Sequence, residues 1–221
     1  MRIITATQRT PAWYAARTGR VTASAISKVL AGKQTKARRG YISDLVLDLE
    51  GVPNRDDEDT PPWFIDGIFY EKHALGWYQW KRDVDVMAFG FCVHDDFDWL
   101  GCSPDGAVGA GGGIEIKFRK SLKSYRDHIN KHPATSVYAQ IQCQMWIMGW
   151  QWVDYLNYWR DEKLEIEQGH IERIYRDQAY IDSQLYEYAL AFWADVLSKY
   201  KARNGTKPFA IDLQVPPCNS R

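Results

Sequence analysis

The stretch that constrains this chain most is CSPDGAVGAGGGIEIKF, residues 102–118. It carries an Asp, a glycine-rich turn, and then a Glu and a Lys two residues apart. In a strand, residues two apart share a face. Glu115 and Lys117 therefore project together, while Ile114, Ile116 and Phe118 point the other way into a core. A hairpin folded at 109–113 brings Asp105, at the end of the preceding strand, beside Glu115. Two carboxylates converging on one point repel unless a cation lies between them or one is protonated. Hard oxygen ligands with a nearby Lys suit Mg²⁺, which keeps its own waters and is commonly shared with substrate phosphates. The Lys would orient or help deprotonate an attacking water, and the metal would stabilise charge on the phosphate. Taken alone, Glu115-x-Lys117 reads first as a surface salt bridge. Pro104-Asp105-Gly106 lies one hairpin's length upstream and both flanks are apolar, which moves the reading to metal-dependent phosphodiester chemistry.

The surrounding pattern predicts helices, a central sheet, then helices: an α/β fold with one layered domain over 1–221. The N-terminal region, about 1–82, reads as helical. Residues 10–30 hold two short helical pieces, with Thr22 a candidate N-cap for the second. Residues 38–50 form a helix with an apolar stripe of Tyr41, Leu45 and Leu49, and 63–81 form a long helix carrying Glu71. The intervening GVPNRDDEDTPP, 51–62, is a loop. The sheet core spans about 83–175. Strands are predicted at 84–93, 99–103, 114–118, 151–159 and 164–174, with a helix at 135–148. A last helix, about 177–203, would carry Ile181, Leu185, Tyr188, Phe192 and Val196 on one face.

Lys plus Arg and Asp plus Glu number 28 each, so the net charge is zero. That argues mildly against a nucleic-acid partner, since such domains are commonly basic. The local distribution argues back. KQTKARRG (33–40) and KFRKSLKSYR (117–126) hold cations without acids, and a polarised surface can still grip a phosphate backbone. Ten Trp and thirteen Tyr read first as core packing, with base stacking as the alternative. Cys92, Cys102, Cys143 and Cys218 are scattered, with no C-x-x-C pair and no secretory signal. This argues against zinc or an iron–sulfur cluster and for a reduced, cytoplasmic setting. No apolar run approaches a membrane span.

The stretch SPDG…GIEIKF resembles the P-D…(D/E)-x-K signature of restriction-endonuclease-like nucleases. More narrowly, the chain resembles the phage lambda exonuclease group, the YqaJ-type viral recombinase nucleases. Three further blocks match in order. WYAARTGRVTAS (13–24) is similar to the group's W-x3-R…(I/V)-T-A-S block, GIFYEKHAL (67–75) to its G-x3-E helix, and VYAQIQCQMWI (137–147) to its Q-x-Q helix. One departure is Val137, where the group commonly has Tyr.

The resemblance implies a restriction-endonuclease-like core, a central mixed β-sheet flanked by helices. It implies Mg²⁺, two ions per site with DNA bound and Mn²⁺ as a substitute. Asp105, Glu115 and the backbone carbonyl of Ile116 would be ligands, with Glu71 near the second ion or its waters. Lys117 would position the water and Gln140 would line the site. Arg17, Thr22 and Ser24 would hold the 5′-phosphate of the strand being cut. Arg38 and Arg39, in the basic 33–39 segment, would contact the entering DNA. Trp63, Phe64 and Ile65 occupy the region of an apolar wedge that splits the duplex. The implied activity is 5′→3′ degradation of one strand of double-stranded DNA to mononucleotides, leaving a 3′ single strand. The implied partners are DNA ends, a ring-shaped homotrimer of this chain and a single-strand annealing protein, in a bacterial host and of phage or prophage origin. Two rivals stay open: an endonuclease on the same fold, and a DNA-end-binding recombination scaffold without catalysis.

Overall fold

Strand β7 (Gly112–Phe118) is the middle strand of the larger of two sheets. The structure is a computed structural model. It describes residues 1–52 and 62–214, with the side chains of 62–68 left out. In chain order the elements before β7 are β1 (Arg2–Ile4), α1 (Pro11–Arg17), β2 (Val21–Thr22), a 3₁₀ turn at Ala23–Ala25, α2 (Ile26–Leu30), α3 (Lys36–Leu49), α4 (Pro62–Arg82), β3 (Val86–Met87), β4 (Phe91–Val93), β5 (Leu100–Cys102) and β6 (Gly106–Val108). After it come α5 (Leu122–Ile129), α6 (Thr135–Met148), β8 (Trp152–Asp161), β9 (Ile166–Tyr175), α7 (Gln178–Tyr180), a π-helical turn at Ile181–Tyr186, and α8 (Glu187–Asn204).

The mixed α/β architecture is present, but the central sheet is divided. One sheet runs β1-β4-β5-β2 and the other β3-β6-β7-β8-β9. The stretch 84–93, expected as one strand, contributes β3 to one sheet and β4 to the other. The break falls where a side chain on Gly90 would lie 2.4 Å from the Ile4 carbonyl oxygen, so the chain here runs against the N-terminal backbone.

Strand β7 pairs antiparallel with β6 and parallel with β8. A parallel pair needs a crossover connection, and α5 with α6 supplies it. The alternation of β7 then sorts its side chains. Ile114 and Ile116 join Leu156 and Tyr158 of β8 and pack on Ala74 and Tyr78 of α4. Glu115 and Lys117 face α6, whose Ile141, Met145 and Met148 pack in the main core with Val153 and Tyr155 and with residues of α2, α3 and α8. The glycine run is only partly a turn. Gly112 and Gly113 belong to β7, and a Cβ there would fall 2.2 Å from the Trp152 ring and 2.1 Å from the Trp150 ring. Two tryptophans thus lie flat on the hairpin, which accounts for glycine at both positions.

The C-terminal helix corrects one expectation. Ile181, Leu185, Phe192 and Val196 are buried, but Tyr188 is 45% exposed and Ala189 takes its place in the core. The π turn inserts an extra residue per turn and rotates the apolar stripe. The acidic loop residues 55–59 and Cys218 lie outside the described residues. Cys92, Cys102 and Cys143 are buried and unpaired by disulfides. Among the described residues no helix is long and apolar enough to cross a membrane.

Candidate active site

The hairpin register sets the site. Gly106 stands opposite Ile114, so Asp105 stands opposite Glu115 at the point where β6 begins. The next rung, Pro104 against Ile116, does not form. Ile116 N–H donates instead to Asp105 Oδ2 at 2.7 Å, and the Pro104 carbonyl accepts from Gln8 Nε2 at 3.1 Å. Backbone N–H and C=O of one strand residue point to the same side. The Ile116 carbonyl therefore turns toward Asp105, and proline has no N–H to offer it.

Glu115 is 2% exposed. Its Oε1 accepts from Lys117 Nζ at 2.6 Å and Gln140 Nε2 at 2.8 Å, and its Oε2 from Gln144 Nε2 at 2.7 Å. Gln140 and Gln144 are one helical turn apart on α6 and share a face. Lys117 also lies 3.5 Å from Gln140 Oε1. Contact with Glu115 raises the Lys117 pKa despite burial, so the side chain is an ammonium and a donor. Burial pushes the Asp105 carboxyl well above the usual range, and the charges of Glu115 and Glu71 push it further.

These carboxylates line a cleft of about 440 Å³ together with Gln8, Arg9, Trp13, Arg17, Ser24, Glu71, Ser103, Ile116, Phe118, Lys120 and Gln140. Residues more than eighty positions apart in sequence thus meet at one place. Arg17 lies over the Trp13 ring, 4.2 Å from its centroid, and Trp13 Nε1 donates to Ser103 Oγ at 2.9 Å. Thr22 is buried; its Oγ1 lies 3.2 Å from Ser24 Oγ, and its own N–H donates to Tyr41. Thr22 supports Ser24 and does not itself line the cleft. Glu71 reaches the cleft from α4 and pairs with Arg9 at 2.5 Å.

The donor set fits a hard divalent cation. Glu115 is buried and Asp105 half-buried, their charges repel one another, and the Ile116 carbonyl turns to the same side. Among the described residues no three His, Cys, Asp or Glu side chains cluster at metal-ligand range; Mg²⁺ needs only one or two carboxylates, with water completing its shell.

Two expected DNA contacts lie elsewhere. Arg38 is 3% exposed. It donates to the Val29 carbonyl and to Asp195 Oδ2 at 2.8 Å, and stacks on Phe192 with 4.8 Å to the centroid. It ties α3 to α8 and has no path to a phosphate. Arg39 is exposed on α3 but is not among the residues lining the cleft. The wedge candidates Trp63, Phe64 and Ile65 fall on α4, and their side chains lie outside the described residues. Sequence reading passed over Arg9, Gln8, Ser103 and the role of Gln144, while Lys120 of the basic run 117–126 does reach the cleft. For Gln144 the i, i+4 spacing from Gln140 was the available signal; for Ser103 it was adjacency to Pro104-Asp105. Arg9 had none.

The family model for the YqaJ-like viral recombinase domain matches residues 12–151. The chain belongs to the YqaJ-like viral recombinase family. The matched span of this YqaJ-family chain contains every residue of the cleft except Gln8 and Arg9. No curated protein sequence matches the chain. Among solved structures it is similar to LHK-Exo, an alkaline exonuclease from Laribacter hongkongensis. A crystal structure of LHK-Exo in complex with dAMP is 29% identical, with a TM-score of 0.76, covering 88% of this chain and 96% of that one. A second LHK-Exo structure gives 28% identity over the same shares. A phage related exonuclease from Haemophilus somnus 129PT, 13% identical with a TM-score of 0.58, covers 81% of this chain and 96% of its own; at that identity it speaks to the fold alone.

Proposed function

We propose that this chain is a Mg²⁺-dependent 5′→3′ exonuclease that degrades one strand of double-stranded DNA from a 5′-phosphorylated end to mononucleotides. The coarser part, a nuclease of the lambda exonuclease group, rests on the family match and on the LHK-Exo structures. The finer part is carried by one observation: Arg17 and Ser24 line the same cleft as Asp105, Glu115 and Lys117. A guanidinium and a hydroxyl suit a terminal phosphate. Two close-set carboxylates beside an ammonium suit hydrolysis of the neighbouring bond. That LHK-Exo has been captured with dAMP, a nucleoside monophosphate, agrees with mononucleotide release.

Asp105, Glu115 and the Ile116 carbonyl would hold Mg²⁺, with Glu71 beside its waters. When bound, the metal supplies charge stabilisation on the phosphate and a more acidic water. Lys117, as an ammonium, donates to the attacking water and fixes its line of approach. Gln140 and Gln144 hold Glu115 in one rotamer. Arg17 and Ser24 set the register of the strand end, so that the bond one nucleotide in is the one presented. The reading extends to a homotrimer enclosing DNA and to a single-strand annealing partner. Both follow from the family resemblance, and a stable monomer in gel filtration would remove the ring.

The test uses linear duplex with 5′-phosphate ends, the same duplex with 5′-hydroxyl ends, and a closed circle, each in Mg²⁺ and in EDTA. The expected result is loss from the 5′ ends, faster with phosphate, absent on circles, in EDTA and in Lys117→Ala. Cutting of circles would replace the exonuclease with an endonuclease. Binding of ends without cutting would leave a scaffold.

A further inference from the structure

Arg9 stands at the third position of the turn Thr7–Thr10, closed by Thr10 N–H on the Thr7 carbonyl at 3.2 Å. Its φ is 68°, the left-handed value that this position of a type II turn requires and that glycine adopts without strain. Both neighbours pin the turn. Gln8 Nε2 donates to the carbonyls of Phe89 and Pro104 at 3.2 and 3.1 Å. Thr10 Oγ1 accepts from Trp13 N–H at 3.3 Å and starts α1. The backbone is thus held, from both sides, in a conformation that an arginine disfavours. Strain of this kind gathers where a side chain has work at a ligand. The Arg9 side chain lines the cleft with Asp105, Glu115 and Lys117 and ends on Glu71, its Nη2 2.5 Å from Oε2, with the two side chains 33% and 26% exposed. The pair is half-buried on the cleft wall, where a phosphate, with more charge and more acceptor oxygens, competes with the carboxylate for the guanidinium.

We infer that Arg9 is a DNA-phosphate contact of the active cleft. Without DNA it rests on Glu71. With DNA it transfers to a non-bridging phosphate oxygen of the bound strand and frees the Glu71 carboxylate, which would then be available to a bound cation's waters. The inference rests on the exonuclease reading and deepens it. A guanidinium fork matches phosphate geometry better than it matches a single carboxylate oxygen. The exchange also couples substrate entry to the freeing of a carboxylate at the site.

The test compares Arg9→Gly, Arg9→Lys and Glu71→Gln. Glycine suits a φ of 68°, so Arg9→Gly removes the guanidinium without endangering the fold, which a thermal melt verifies. Binding of a 5′-phosphorylated duplex is measured in a Lys117→Ala background across a salt series, and steady-state kinetics in the intact background. One lost phosphate contact lowers the slope of log K against log salt by about 0.9. The expected result for Arg9→Gly is that drop, with KM raised roughly tenfold or more and kcat changed less. Arg9→Lys should restore the slope but not the full affinity, and Glu71→Gln should leave the slope at the parent value. Parent slope and parent KM in Arg9→Gly would overturn the inference while leaving the exonuclease standing. So would equal losses in Arg9→Gly and Glu71→Gln with no further loss in the double variant. A parent protein that neither binds nor cuts duplex ends would overturn both.

Discussion

Asp105→Asn should make the metal-free protein more stable while abolishing its activity. Asp105 is half-buried beside Glu115 and near Glu71, and in the absence of a cation its ionised form has no full counter-charge. Asparagine has nearly the same volume and keeps an oxygen to accept the Ile116 N–H, now 2.7 Å from Oδ2. The exchange removes the charge and leaves the packing. Relief of an uncompensated, half-buried charge is worth on the order of 1–2 kcal/mol after solvent screening, and each kcal/mol moves Tm by about 2–4 °C in a chain of this size. The sign with pH follows from the direction of the shift. A carboxyl whose folded pKa is raised contributes its full share of stability below the unfolded value, near 3.8, and loses it as pH rises toward the folded value. The advantage of Asp105→Asn should therefore be widest at pH 8 and close as pH falls toward 4. Thermal melts of both proteins in EDTA at pH 5 and pH 8 measure this directly, and Mg²⁺ at pH 8 should stabilise only the wild type. A variant that melts at or below the wild type at pH 8 in EDTA, or a gap that does not narrow at pH 5, would refute the electrostatic account of this carboxylate pair.

Other sites give simpler outcomes. Arg38→Ala should cost about 2–3 kcal/mol of stability in denaturant titration, through loss of buried packing and of the Asp195 pair, and should leave the salt slope of DNA binding unchanged. Gln144→Leu leaves Glu115 Oε2 without the donor now at 2.7 Å. It should cost about 1–3 kcal/mol, read as weaker Mg²⁺ activation in a metal titration. Gly113→Ala places a methyl 2.1 Å from the Trp150 ring and should destabilise by about 1–3 kcal/mol, visible as a lower Tm with a changed tryptophan emission.

The hairpin was legible because its chemistry is local. A period of two sorts Glu115 and Lys117 from Ile114 and Ile116 without any tertiary information, and a short turn fixes where Asp105 lands. Helix α6 was legible for the same reason, with apolar residues at gaps of three and four. The basic run misled at Arg38. Lys33, Lys36 and Arg39 are exposed, and composition treats Arg38 as one of them. Its spacing to Ile42, Leu45 and Leu49 puts it on the buried stripe of α3, a signal stronger than its charge. The division into two sheets was out of reach, since it depends on the N-terminal backbone crossing Gly90 from more than eighty residues away. Arg9 was hidden for a related reason. Only the folded turn shows a non-glycine residue at positive φ, and only the third dimension brings Glu71 to it.

The missing rung at Pro104 bears on how such a site survives mutation. A strand pair tends to zip until something stops it, and each added rung makes a firmer ladder. Here the zip halts one step short because one residue has no hydrogen to give. An alanine at 104 would let the ladder close on the Ile116 carbonyl, and the result would be a tidier hairpin in which that oxygen is spent on its own backbone. Selection for stability alone would favour that protein; the proline holds the chain at the looser register in which the oxygen still faces the cleft.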